Sequence, residues 1–175
     1  GGQVFFTADD GVHGRELWRT DGTEKGTYLV SDLTPGSDGS SFPSLFAGGG
    51  HLFFTLYGES PQPGLWVSDG TAGTTFRLAE LDLPQSNPYK GPPFAFLPNG
   101  LLLFAAAPAG TQDSELWRSD GTVSGTFRLK DLEPGTEGSG PNTFIRYGDE
   151  IVFVASSPTT FGYVLWRSDG TEAGT

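Results

Sequence analysis

The sequence predicts an all-β fold made of repeated four-stranded antiparallel units, and three observations carry that prediction. The first is self-similarity: the stretch Glu16-Leu-Trp-Arg-Thr-Asp-Gly-Thr-Glu-Lys-Gly-Thr27 returns at Gly64 to Thr75, Glu115 to Thr126 and Val164 to Thr175. Its tryptophans, Trp18, Trp66, Trp117 and Trp166, stand about 50 residues apart, a period that belongs to repeat architectures. The second is a set of short apolar runs, rich in β-branched and aromatic residues, at fixed offsets from each tryptophan and without helical periodicity. The third is punctuation: 27 glycines and 13 prolines fall at recurring places between those runs, where they mark turns.

Within each copy the elements follow in order. Thirteen positions before each tryptophan stands the centre of an apolar strand, in Val4-Phe5-Phe6-Thr7, Leu52-Phe53-Phe54-Thr55, Leu103-Phe104-Ala105 and Val152-Phe153-Val154. Continuous apolar runs of this length read as strands covered on both faces. The motif strand that follows sets Leu and Trp side by side, and adjacent strand residues point to opposite faces, so burial on both sides is expected there too. Next, Tyr28-Leu-Val30, Phe76-Arg-Leu78 and Phe127-Arg-Leu129 alternate as a half-exposed outermost strand should. Asp32-Leu-Thr-Pro-Gly-Ser-Asp-Gly-Ser40 and Asp131-Leu-Glu-Pro-Gly-Thr-Glu-Gly-Ser139 are Pro-Gly crossings without strand propensity, replaced in the middle by a longer stretch, Asp82 to Pro93. A last segment, centred on Leu45, Phe96 and Ile145, leads through Gly48-Gly-Gly50, Pro98-Asn-Gly100 or Gly148-Asp149 into the next apolar strand, so the two form a hairpin.

Four strands up and down, the inner ones apolar on both faces, describe a propeller blade, whose strands are sandwiched between neighbouring blades. Lettered A to D from the inside, the chain reads B-C-D in residues 1–33, a whole blade in 34–81, another in 82–132 and A-B-C in 133–175. That is one array over 1–175 of about three and a half blades, short of the four or more a closed ring takes. The remainder of a longer parent chain, or a second copy, is expected to complete it. The lack of an initiating methionine and ends that fall inside repeats point the same way.

Composition narrows the partners. Ten basic residues against 21 acidic ones give a net charge of −11, which disfavours nucleic acid, where affinity rests on neutralising phosphates. Protein partners, glycans and cations such as calcium remain open. Without cysteine, disulfides, zinc-thiolate sites and thiol nucleophiles are excluded. No apolar run approaches the roughly 18 residues of a membrane-spanning helix, and no amino-terminal segment is of the signal-peptide type. Nucleophile-elbow, phosphate-loop and dinucleotide glycine patterns are likewise missing.

The residues Glu16-Leu-Trp-Arg-Thr-Asp-Gly-Thr23 resemble the ELWxxDGT repeat of bacterial exported and cell-surface proteins. Glu115-Leu-Trp-Arg-Ser-Asp-Gly-Thr122 matches it again, and Gly26-Thr27 and Asp32-Leu-Thr-Pro-Gly36 are similar to that family as well. Gly64 and Val164 depart from it at the glutamate, Thr74 departs at the second glycine, and the 82–93 crossing is rewritten, so the glutamate is expected to be dispensable for folding. The resemblance implies a secreted or cell-surface bacterial repeat protein of propeller type, and it brings no catalytic residue and no cofactor.

The motif acids Asp21, Asp69, Asp120 and Asp169 precede Gly-Thr; an aspartate there accepts bonds from the backbone two residues on, while Gly supplies positive φ. These are expected to be structural turns, and the four tryptophans packing between blades. Positions that do not repeat are better places to seek binding, because repetition reflects what folding requires. Asp9-Asp-Gly-Val-His-Gly-Arg15 gathers Asp9, Asp10, His13 and Arg15 in one loop, a set suited to a sugar or, through Asp9 and Asp10, to calcium; a solvated loop is the plainer reading. Tyr57, Tyr89, Lys90, Phe161 and Tyr163 add aromatics and a cation in or beside inter-strand loops, the kind of residue that stacks on sugars or fills protein pockets. Arg19, Arg118 and Arg167 are expected to pair with acids such as Asp32 or Asp131 and tie strands together. No residue stands out as catalytic. The expected function is a non-enzymatic binding or scaffolding module, the alternatives being a lectin-like propeller and a glycan hydrolase or lyase with acids at the propeller face.

Overall fold

Short apolar runs between glycine turns give an all-β chain of small antiparallel sheets, with no α-helix among the described residues. The computed structural model describes residues 2–57, 63–84 and 92–175, without the side chains of Pro43, Ala72, Thr160 and Phe161. The chain forms two units, Gly1–Arg77 and Leu78–Thr175. In the first, strands β1 (Val4–Asp9), β2 (Arg15–Thr20) and β3 (Tyr28–Ser31) make one sheet in chain order. A second sheet runs β4 (Ser41–Gly48), β5 (His51–Tyr57), β6 (Gly64–Ser68) and β7 (Phe76–Ala79), the last crossing the division between units, with a single 3-10 turn at Ala72–Thr74. The second unit holds β8 (Leu81–Asp82), β9 (Phe94–Phe96), β10 (Leu102–Pro108), β11 (Glu115–Ser119) and β12 (Phe127–Lys130) in one sheet, then β13 (Asn142–Tyr147), β14 (Glu150–Ser157) and β15 (Thr160–Ser168) in another.

Register places each tryptophan opposite a phenylalanine: Phe6 faces Trp18, Phe54 faces Trp66, Phe104 faces Trp117 and Phe153 faces Trp166. The partner is thus twelve positions back in the first two copies and thirteen in the last two. The expected uniform offset misses this because one more residue stands between the later pairs, in the β10–β11 loop in the third copy and within a hairpin whose register shifts after Ser156 in the fourth. The crossing at 82–93 also differs from expectation, since Leu81–Asp82 pairs with Ala107 and Pro108 of β10.

Alternation along these strands gives each sheet two apolar faces. In unit 1, Leu17 and Val30 of the first sheet pack with Leu52, Phe54 and Leu56 of the second, Phe5, Phe42 and Trp66 closing the margin. In unit 2, Leu103, Ala105, Leu116 and Leu129 pack with Phe144, Ile151, Phe153 and Ala155, and Trp166 lies against them. Each fully buried leucine or phenylalanine contributes about 1.5–3 kcal/mol, so these interfaces hold the units together. Burial of the motif strand on both sides holds only in part. Leu17, Leu65 and Leu116 are fully buried, whereas all four tryptophans are half-buried and Leu165 is 74% exposed, because no further sheet of its unit covers β15. β1 is likewise half-covered, with Val4 60% exposed.

The outer strand departs from simple alternation as well. Opposite the Leu-Trp step the register shifts, so Val30 and Leu129 each sit as an extra residue between paired neighbours and turn into the core. The residue two before, Phe127, is left exposed, and Tyr28 half-exposed, where each receives an arginine on its ring: Arg19 over Tyr28 at 4.7 Å and Arg118 over Phe127 at 5.2 Å.

The motif turns close on their own aspartates. Asp120 Oδ1 accepts from Thr122 N at 2.9 Å and Thr122 Oγ1 at 2.7 Å, and the same pair of bonds forms at Asp21, Asp69 and Asp169. The folded-over carboxylate explains the second glycine of the motif: a Cβ on Gly125 would stand 2.0 Å from Asp120 Oδ1. Thr74 fills that position in the second copy, and there the turn tightens into a 3-10 helix while the threonine hydroxyl donates to Asp69 Oδ1. Gly125→Ala is expected to destabilise the chain by about 1–3 kcal/mol in urea unfolding. Adding Asp120→Ala, which removes the obstacle, should make the double variant less destabilised than the two single losses added together.

Candidate functional site

The end of unit 1 where β1 turns into β2 carries the non-repeating loop, and its neighbour is the crossing that leads into β4. Gly14 and Gly39 bring these backbones together, a Cβ on Gly14 standing 2.5 Å from Gly39 N. A Cβ on Gly39 would meet Arg15 N at 2.2 Å, and Ser40 N donates to Arg15 O at 2.7 Å. The crossing is then fixed from inside by the motif glutamate. Glu16 is fully buried; its carboxylate accepts from Leu33 N at 3.1 Å, Thr34 N at 3.0 Å and Ser40 Oγ at 2.9 Å. Unit 2 repeats the arrangement, Glu115 accepting from Leu132 N at 2.9 Å, Glu133 N at 3.4 Å, Ser139 N at 2.8 Å and Ser139 Oγ at 2.7 Å. Burial pushes the Glu16 carboxyl above the usual carboxylate range, the three donors opposing it in part.

The glutamate thus has a defined partner in both copies that carry it, while the motif strands with Gly64 and Val164 form without it. In the second copy, where Gly64 stands in its place, the crossing that follows is the rewritten one. That pairing of Glu with Asp-Leu-x-Pro-Gly-x-x-Gly-Ser was a signal present in the sequence.

On the outside of the clamped crossing lies an open groove of about 360 Å³ lined by Arg15, Asp38, Gly39, Ser40, Ser41 and Phe42. Arg15 and Ser41 are exposed, Ser40 is buried, and Phe42 packs its ring against Phe54 at 5.7 Å. Of the residues singled out in the sequence, Asp9, Asp10, His13 and Arg15 lie in or beside the β1–β2 loop, with Asp9 directly opposite Arg15. Tyr57 stands at the same end, opposite Ser41 in the β4–β5 ladder. Asp38, Ser41 and Phe42 were not singled out, because a crossing that looks like turn punctuation gives no sign that it forms a wall.

The loop is internally organised. Asp10 Oδ1 accepts from Val12 N and His13 N, both at 2.9 Å, its Oδ2 meets His13 Nδ1 at 2.7 Å, and Asp9 Oδ1 accepts from Gly11 N at 2.8 Å. The backbone and imidazole bonds from His13 hold the Asp10 carboxyl down to about 2, and the Asp10 side chain raises His13 above its ordinary value. Both oxygens of Asp10 are thus engaged by loop donors, and no group of three or more His, Asp or Glu side chains suited to a metal ion occurs among the described residues.

The remaining candidates fall elsewhere. Tyr163 lies on β15 in unit 2, 59% exposed, opposite Ser156. Phe161 belongs to the same strand, its side chain outside the description. Tyr89 and Lys90 lie outside the described residues. The arginines do not pair with Asp32 or Asp131 as expected. Arg19 donates to Gly70 O at 3.1 Å and Arg118 to Gly170 O at 2.9 Å, each reaching the next copy of the motif, while Arg167 approaches Glu150 at 3.7 Å in solvent. A backbone carbonyl presented by a positive-φ glycine is nearer to the guanidinium than either aspartate.

Compared with protein families, with characterised proteins and with solved structures, the chain has no match in any of the three.

Two measurements check this geometry. Glu115→Ala orphans two or three buried backbone N–H groups and is expected to destabilise by about 3 kcal/mol or more in chemical unfolding, well beyond the loss from Asp169→Ala at an exposed turn. His13, followed by NMR through its imidazole resonances, should titrate above the ordinary histidine value of about 6.5 and return to it in Asp10→Asn. Because the folded value is raised, the His13–Asp10 contact holds the loop fully below about pH 6.5 and loosens as pH rises through the His13 titration. On the acid side the Asp10 bonds persist until pH falls toward about 2.

Proposed function

We propose that the chain is a non-enzymatic binding or scaffolding module of an exported or cell-surface bacterial protein, its sheets serving as blades of a partial β-propeller and its ligand meeting the groove beside Asp9–Arg15. The observation that carries this reading is where the repeated polar chemistry goes. Glu16 and Glu115 are consumed inside the crossings, Asp21, Asp69, Asp120 and Asp169 in their own turns, and Arg19 and Arg118 between sheets. The non-repeating edge of unit 1, by contrast, keeps an open groove whose wall includes Arg15 and Asp38. Support for the blade reading comes from sheets with two apolar faces, stacked in the same way in both units. Support for export comes from the resemblance of Glu16 to Thr23 and Glu115 to Thr122 to the ELWxxDGT repeat.

A lectin-like role is the second reading. It is favoured by the mixture of Arg15, Asp38, Ser41 and Phe42 in one open groove, since hydroxyl-rich ligands take charged and hydroxyl partners together with an aromatic edge. Probing the chain on a glycan array, with a chromogenic glycoside panel and by affinity capture of proteins separates the readings. The expected result is no turnover of any glycoside, and capture of a protein partner that weakens by about tenfold or more in Arg15→Ala. Glycan signals with the same sensitivity to Arg15→Ala would make the module lectin-like. Glycoside turnover abolished by one Asp or Glu substitution would overturn the non-enzymatic reading.

A further inference from the structure

The sheet-to-sheet contact within each unit is built from the same parts. In unit 1 the first sheet turns Phe5, Leu17 and Arg19 forward, and the second answers with Leu52, Phe54, Leu56 and the Gly70 carbonyl, which Arg19 reaches at 3.1 Å. In unit 2, Leu103, Ala105, Leu116 and Arg118 turn forward onto Ile151, Phe153, Ala155 and the Gly170 carbonyl, reached at 2.9 Å. Two separate examples therefore define one interface with a forward face and a receiving face.

The last sheet carries a forward face that nothing in its unit covers. Val152 pairs with Arg167 and Val154 with Leu165, the register in which Leu103 pairs with Arg118 and Ala105 with Leu116. Leu165 is 74% exposed where Leu116 and Leu17 are fully buried, and Arg167 is 75% exposed where Arg118 is held by a carbonyl. Ile145 and Tyr147, on the neighbouring strand, widen the apolar surface. The first sheet carries the receiving face, also uncovered. Val4, Phe6 and Ala8 occupy the register positions of Ile151, Phe153 and Ala155, and Val4 is 60% exposed where Ile151 is buried. Gly22 is exposed with no atom near its Cβ position, whereas Gly70 and Gly170 are buried against Phe5 and against Leu97 and Leu101.

We propose that these two faces bind each other between molecules: the Leu165 face of one copy stacks on the Val4 face of a second copy, with Arg167 donating to the Gly22 carbonyl. The occupant is a second copy because the chain itself carries both halves of an interface it already builds twice. Such an interface is heterologous, so it generates rings where the rotation closes and open chains where it does not. It involves sheet faces and not the groove, and stands whatever the groove binds.

Sedimentation velocity over a wide concentration range, at an ionic strength of about 0.15 M to screen the acidic chains from one another, tests it. The unaltered chain is expected to form species larger than a monomer that grow with concentration. Val4→Asp removes the receiving face and Leu165→Asp the forward face; both positions are exposed, so the folds should be kept, which circular dichroism checks. Each variant alone should associate at least about tenfold more weakly. An equimolar mixture of the two should form a one-to-one pair and nothing larger. Arg167→Glu, a charge change in solvent, replaces Leu165→Asp if that variant unfolds. A monomer at every concentration, a mixture that stays monomeric, or undiminished self-association by either variant would overturn the proposal.

Discussion

Strands that are apolar on both faces commit a sheet to neighbours on both sides, and most of this chain follows from that constraint. Leu17 and Trp18 sit next to each other on one strand and so point opposite ways. The leucine enters the core shared with the following sheet, and the tryptophan's counterparts Trp66 and Trp166 pack toward the preceding one. Dispersion and burial supply the energy but no direction, because apolar faces slide past one another at little cost. The direction comes from Arg19 and Arg118. Each guanidinium rests on an aromatic ring of its own sheet and donates to one carbonyl of the next, which fixes the stagger of the two sheets. Glycine at the accepting position serves the same contact, since a Cβ on Gly70 would stand 2.9 Å from the Phe5 ring.

The turn aspartates and Glu16 respond to pH in opposite directions. Asp21, Asp69, Asp120 and Asp169 have carboxyls held low, mainly by hydroxyl bonds within their own turns. Their contribution is present above the ordinary aspartate value and fades as pH falls through the lowered one. Glu16 has its carboxyl raised, mainly by burial, so its ionised form is disfavoured in the fold and its contribution declines as pH rises through that raised value. Removing the side chain is a different matter from neutralising it, because Leu33 N, Thr34 N and Ser40 Oγ would then lose their acceptor.

Much of the fold was legible because its causes are local. Strand order, hairpins and the Asp-Gly-Thr turns depend on residues within a few positions of each other, and the sequence carries those contacts in full. What escaped depends on distance along the chain. The role of Glu16 rests on donors 17, 18 and 24 residues away, and that of Arg19 on a carbonyl 51 residues away. The outward seat of Phe127 required knowing that a bulge inserts Leu129 into the core. At the candidate site, the loop acids and Arg15 were readable from their failure to repeat, while Asp38, Ser41 and Phe42 were hidden in a crossing whose outer wall is visible only once Glu16 has pinned it.

The second copy of the motif tests how far the motif is one device. It lacks the glutamate at Gly64, the arginine at Val67 and the second glycine at Thr74. Two of the three losses have a local counterpart: Gly64 precedes the rewritten crossing, and Thr74 gives its hydroxyl to the aspartate it would otherwise crowd. The motif is therefore a set of separable contacts, each tied to its own client, and its recurrence does not amount to a recurring site. Yet the scaffold and the candidate site are coupled in one place. Glu16 binds the hydroxyl of Ser40 from the inside, and the next two residues, Ser41 and Phe42, form the groove on the outside. The repeating chemistry thus sets the position of the non-repeating wall, and a change at the buried glutamate would reach the groove through two residues of backbone.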